Sequence, residues 1–217
     1  MSVLLIKLLL SYLLGSVVGS LLLGRLRGVD IREHGSGNAG STNALRTQGK
    51  LFALGTALID FGKGVVAALV IAPFNGFGAS QLDPVSTALA CGFAAAIGHC
   101  YPVFHGFRGG KGAGTLFGAF AALFPLSALA TLALWLLVVT TTGYVGLGTV
   151  IAGLALPLIL ALVEHSPAAS VLALAGAAGI FLAFTHRSNL QRLLAGTENR
   201  FERARIFARV LPRPPGT

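Results

Sequence analysis

Charge is scarce in this sequence. Of its 217 residues only 11% are Asp, Glu, Lys or Arg, against about a quarter in an ordinary soluble domain. A chain so poor in charge cannot coat itself for water, which excludes a soluble globular fold. Acidic residues are scarcest, 7 against 16 Lys and Arg, for a net charge of +9. Cysteine is nearly absent too. Cys91 and Cys100 both lie in apolar or membrane-edge sequence, which excludes a disulfide framework. No group of His, Cys, Asp and Glu has metal-ligand spacing, so neither a metal centre nor another cofactor is expected. No basic soluble region exists to carry nucleic acid, so that partner is not expected either.

What the chain has is apolar length. Hydrophobic residues make up 54%, and several runs reach the ~18–20 residues a bilayer crossing needs. The expected fold is all-α: a polytopic integral membrane helical bundle in one domain, residues 1–200. Expected crossings are Val3–Gly24, Leu51–Phe74, Val85–Ala96 with the residues after it, Tyr144–Val163 and Ala168–Thr185. Two arginines, Arg25 and Arg27, follow the first run, where a signal peptide would carry its charge in front. Leu116–Thr142, 27 residues with Pro125 inside, would be ~40 Å long as one helix against a ~30 Å hydrocarbon core. Threaded once, it would leave the arginine-rich C-terminus outside, against the positive-inside rule. It is therefore expected to fold at Phe124–Pro125 into two short helices, which gives about seven segments, N-terminus outside and C-terminus cytoplasmic. The runner-up has five crossings, with Tyr144–Val163 dipping in and returning. Residues 201–217 read as an amphipathic helix on the anionic inner leaflet, followed by a disordered tail.

Polar residues gather in three clusters between these runs. Gly35–Asn43 reads GSGNAGSTN, with Arg46 close behind. No strand precedes it, so its Gly-x-Gly-x-x-Gly is not a dinucleotide site. It is a turn dense in hydroxyls, amides and free N–H groups, followed by an arginine that can grip phosphate bidentately. Gly98–Thr115 reads GHCYPVFHGFRGGKGAGT and sets Gly106, Gly109, Gly110, Gly112 and Gly114 around Arg108 and Lys111. Glycine clusters let backbone N–H groups turn onto an anion, and the lysine balances its charge. A Walker loop is excluded, because it would need Gly at His105 and Ser or Thr at Gly112. His99 and His105 fit structural hydrogen bonding, and Phe104 and Phe107 fit the membrane interface. The third cluster pairs His186, a residue suited to general base chemistry, with Asn189, near Arg187 and Arg192. Asp60 and Lys63, three apart inside the second run, read as an intramembrane pair facing the bundle interior.

Together, GSGNAGSTN with Arg46, GHCYPVFHGFRGGKGAGT and HRSNLQRLLAGTE resemble the three cytoplasmic motifs of the bacterial membrane acyltransferases that use acyl-phosphate to acylate glycerol 3-phosphate, the PlsY type. Asp60, Lys63 and Gly64 match that family's Asp-x-x-Lys-Gly. The resemblance runs to about Arg200. It implies an active site lined by Ser36, Arg46, Lys111, His186 and Asn189, with Thr149 near it. The family usually has a basic residue and then Tyr-Val-Ser-Leu-Ala-Ser; here Gly143 precedes Tyr144-Val145-Gly146-Leu147-Gly148-Thr149. It implies a multi-pass protein of the bacterial cytoplasmic (inner) membrane, with glycerol 3-phosphate, acyl-phosphate and membrane lipids as partners and lysophosphatidic acid as product.

The residues' own chemistry agrees. Acyl-phosphate is a mixed anhydride whose leaving group needs neither metal nor covalent enzyme intermediate. Two anionic phosphates must be held together, a task for Arg46, Lys111 and the N–H groups of Gly37, Gly110 and Gly112. The glycerol hydroxyl must be aimed, a task for Ser36, Asn38, Thr42, Asn43 and Asn189. One proton must be accepted, by His186 or by a substrate phosphate oxygen. Two other readings compete: a transporter of a small phosphorylated solute, and a lipid-binding scaffold without turnover. Transporter sites lie at mid-membrane in broken helices, whereas these clusters share one face; a scaffold would not need Lys111 or His186.

Overall fold

A computed structural model describes residues 3–76 and 80–202. Among them every regular element is helical: α1 (Val3–Gly15), α2 (Gly19–Leu26), α3 (Ser41–Thr47), α4 (Lys50–Val66), α5 (Pro84–Cys100), α6 (Ala113–Leu123), α7 (Pro125–Thr142), α8 (Val145–Val163), α9 (Ala169–Thr185) and α10 (Arg187–Leu194). Among the described residues, four helical stretches are long and apolar enough to cross a membrane, or six if each bent pair, α1 with α2 and α9 with α10, counts as one. The chain is a multi-pass membrane protein. The surface helix and tail expected over 201–217 lie outside the described residues, apart from Phe201 and Glu202.

Local sequence explains the helix starts. The Asp83 carboxylate accepts from the Ser86 N–H (2.9 Å), and Pro84 occupies the first turn of α5, where its missing N–H costs nothing. Phe124 leaves helical geometry (φ −134°, ψ 68°) and Pro125 opens α7, so the long run divides where expected. The two halves are unequal. α7 has 18 residues and can cross alone, whereas α6 has 11. The reading of Tyr144–Val163 as a dipping loop is overturned, because α8 is one 19-residue helix that continues through Pro157.

The first run departs from a single helix. It breaks over Ser16–Val18 and bends by 42°. Backbone groups freed in a bilayer must find partners, and α4 supplies them. Asp60 Oδ1 accepts from Gly19 N (3.0 Å), and Lys63 Nζ donates to the carbonyls of Gly15 (2.8 Å) and Val17 (3.0 Å). Asp60 and Lys63 are themselves 3.2 Å apart.

Small residues set the helix crossings. A Cβ at Gly15 would strike the Ala95 carbonyl and one at Gly98 the Tyr12 carbonyl, so α1 and α5 touch backbone to backbone. Gly64 and Gly118 do the same for α4 and α6, against Thr115 and Phe61. Close backbone approach stands in for the hydrophobic drive that lipid removes. Gly98→Ala is therefore expected to destabilise the bundle by about 1–3 kcal/mol. Thermal unfolding in detergent checks this; an unchanged midpoint would refute the crossing. A buried cluster of Leu89, Leu116, Phe120, Leu156, Ala175 and Leu182 joins α5, α6, α8 and α9. It braces the helix ends that carry the polar clusters.

Candidate active site

The three polar clusters meet at one end of the bundle. In the first, the Asp30 carboxylate forks with Arg32 (Nε–Oδ1 2.9 Å, Nη2–Oδ2 2.6 Å), and Arg32 Nη1 donates to the carbonyls of His105 and Arg108 (3.0 Å each). The first loop is thereby tied to the second. Asn43 is buried. Its amide donates to Ile31 O and His34 O, and its Oδ1 accepts from Ser36 N (3.0 Å). Ser20 Oγ holds the loop's other end at Ala39 O (2.9 Å).

Lys111 comes from the glycine loop, which folds back along α5: Gly109 N donates to Cys100 O and Gly110 N to His99 O. Thr185 Oγ1 fixes the Lys111 carbonyl from α9 (3.0 Å). The Lys111 ammonium donates to Asn189 Oδ1. Asn189 Nδ2 in turn donates to Glu198 Oε1 (2.6 Å), and Arg192 Nε to Glu198 Oε2 (2.7 Å). Burial, and then the charge of Arg192, push the Lys111 pKa down to about 8.

His186 lies past the end of α9 at Thr185. Its Nδ1 is 2.8 Å from Leu182 O. A carbonyl can only accept, so Nδ1 carries the proton and Nε2 holds a free lone pair. Burial, then the Lys111 charge, depress its pKa to about 4. The ring is neutral at ordinary pH.

These groups surround a polar cavity of about 270 Å³, lined by Ser36, Gly37, Asn38, Thr42, Asn43, Arg46, Lys111, His186 and Asn189, together with Val145, Gly146, Ser188, Arg192, Glu198 and Asn199. Three cations, Arg46, Lys111 and Arg192, face one carboxylate, Glu198. An apolar cavity of about 280 Å³ adjoins it inside the bundle, walled by Phe117, Phe120, Trp135, Leu156 and Leu182 among others. Thr42 and Val145 belong to both walls. A headgroup site for anions thus opens directly onto space suited to an alkyl chain.

A profile of the glycerol-3-phosphate acyltransferase family matches residues 5–196. The chain belongs to the glycerol-3-phosphate acyltransferase family. Among similar members, the glycerol-3-phosphate acyltransferase of Geobacter sulfurreducens is 45% identical over 192 residues, 88% of this chain and 94% of that one. The Chlorobaculum parvum protein of the same description is 38% identical, covering 88% and 93%. Two crystal structures of PlsY (YgiH), an integral membrane glycerol 3-phosphate acyltransferase, are also similar. Its glycerol 3-phosphate form gives a TM-score of 0.80 at 35% identity, over 91% of this chain and 95% of that chain. Its lysophosphatidic acid form gives 0.78 at 34%, over 91% and 94%.

Within this acyltransferase fold, three residues expected at the site do not line the polar cavity. Gly110 packs its Cα against the His99 ring, and Gly112 caps α6 with a left-handed φ of 83°; neither lines the polar cavity. Thr149 lies on the apolar side, donating to Val145 O (3.0 Å) and accepting from Trp135 Nε1 (3.2 Å). Asn43 is in the wall, but both ends of its amide serve its own loop. Four polar residues were not singled out from sequence as site residues: Ser188, Arg192, Glu198 and Asn199. Arg192 had a readable signal, since His186, Asn189 and Arg192 follow at three-residue spacing on one helical stripe. Glu198 is brought back by the end of α10, where Gly196 takes a φ of 70° and Thr197 N donates to Arg192 O, a glycine-terminated cap that reverses the chain.

Proposed function

We propose that this protein transfers a fatty acyl group from acyl-phosphate to the 1-hydroxyl of sn-glycerol 3-phosphate, yielding 1-acylglycerol 3-phosphate and phosphate. The observation that carries the reading is the junction of the two cavities at Thr42 and Val145. There the carbonyl of a chain in the apolar cavity meets a hydroxyl held among cations. Arg46, Lys111 and Arg192 take the two phosphates. Ser36, Asn38, Thr42 and Asn189 orient the glycerol, which turns a bimolecular encounter into a positioned one. The hydroxyl oxygen attacks the acyl carbon, and the carbon–oxygen bond to phosphate breaks with its electron pair leaving on phosphate. His186 accepts a hydrogen bond from the hydroxyl at Nε2 and fixes its direction. With the histidine at about 4, the proton ends on a phosphate oxygen, whose second pKa is about 6.

Two features support acyl-phosphate as donor. The polar cavity sets three cations against a single carboxylate, and no Phe, Tyr or Trp is among its described lining residues, so no large aromatic shelf is offered to a nucleotide base. The cationic end, with Arg25, Arg27, Arg32, Arg46, Lys50, Arg108 and Arg200, faces the cytoplasm of a bacterial inner membrane under the positive-inside rule. Seven segments then carry the chain from an outside N-terminus.

The test uses purified protein in detergent with glycerol 3-phosphate and either palmitoyl-phosphate or palmitoyl-CoA. Product with equimolar phosphate is expected from the acyl-phosphate alone. Product from the CoA ester alone would overturn the donor, and none from either, with the protein folded, would favour the transporter.

A further inference from the structure

Asp60, Lys63 and His99 are each 4–5% exposed and lie on two membrane-spanning helices, outside the polar cavity. Charges so placed are costly and persist where they do something. His99 Nδ1 is 2.9 Å from Lys63 Nζ and 3.3 Å from Asp60 Oδ1. Lys63 Nζ and Asp60 Oδ1 thus both meet the Nδ1 edge of the ring, which leaves Nε2 on the opposite edge. That Nε2 edge faces the Gly110 Cα so closely that a Cβ would run into it, while Gly110 N donates to His99 O (3.0 Å). The residue before Lys111 is thus held by His99 twice, by ring and by carbonyl. Thr185 holds the residue itself from the other side. The same cluster reaches the opposite wall of the cavity: Asp60 and Lys63 fasten Gly15–Gly19, and the next residue, Ser20, carries Ala39 beside Asn38.

We propose that Asp60, Lys63 and His99 are positioning residues for the reaction, a buried cluster that acts through Gly110 to set where the Lys111 ammonium stands relative to the Ser36–Thr42 loop. The inference rests on the acyltransferase reading above and adds three residues that touch no substrate. Gly110 is glycine because the imidazole occupies the place of its side chain.

A double-mutant cycle separates positioning from mere structural support, because residues that act through one another are non-additive. His99→Asn keeps a polar partner for Lys63 and Asp60 but empties the space over Gly110. It is expected to lower kcat/KM, per folded molecule, by roughly tenfold or more in the parent. In a Lys111→Met background it should lower the residual rate by less than about twofold, since the group it places is gone. Equal losses in both backgrounds, or no loss in the parent, would overturn the proposal. Gly110→Ala, which disturbs the same contact from the other side, carries the same expectation if His99→Asn does not fold. A parent protein that makes no product would sink the acyltransferase reading and this inference together. A working parent with multiplying losses sinks the inference alone.

Discussion

Lys111→Met is expected to lower kcat/KM for glycerol 3-phosphate by about 10²–10³-fold, the loss typical when one preorganised charge or donor is removed from a developing anion. Lys111 is half-buried, lines the cavity and is bonded to Asn189. The other two cations have their own places: Arg192 is held in position by Glu198, and Arg46 enters from α3 on the other wall. Its ionisation adds a signature. With the ammonium at about 8 instead of 10.5, the charged form is complete well below that pH and is lost as pH rises through it. The rate constant kcat/KM should therefore be level just below this limb and fall about tenfold per unit above it. Lys111→Arg keeps a charge across the range and should abolish the limb while recovering part of the rate. A limb that persists in the arginine variant would show that another group causes it.

Much of this architecture could be read from the sequence, for identifiable reasons. Phe124-Pro125 marks a break, and glycine-rich polar loops between apolar runs must share a membrane face. What stayed hidden depends on who touches whom. Gly110 and Gly112 look like anion-cradling glycines by composition, yet one makes room for His99 and the other turns the chain into α6. Asn43 looks like a substrate amide, yet its bonds build the loop that presents Ser36. The break at Ser16–Val18 carries no proline to announce it. It exists because Asp60 and Lys63, some forty residues away, satisfy the exposed backbone. The i,i+3 spacing of that pair was legible, but the carbonyls it serves were not.

His186 can be made to declare its part. If it is a hydrogen-bond acceptor that aims the hydroxyl, as a ring held neutral at about 4 requires, an uncharged acceptor at the same reach should serve in its place. The amide oxygen of Gln stands near where Nε2 stands, and its NH₂ group cannot hold the transferred proton. His186→Ala is expected to lower kcat by about 10²-fold, whereas His186→Gln should stay within roughly tenfold of the parent. If Gln is as slow as Ala, the imidazole itself takes the proton. In that case the substrate phosphates must raise its pKa, and the rate in the parent should fall on the acid side as that raised pKa is crossed. If Gln is active and the acid limb instead follows the second ionisation of the phosphate substrate, the base is carried in by the substrate. The protein's contribution is then geometry and positive charge, which accounts for a site with one neutral histidine among three cations and a single carboxylate.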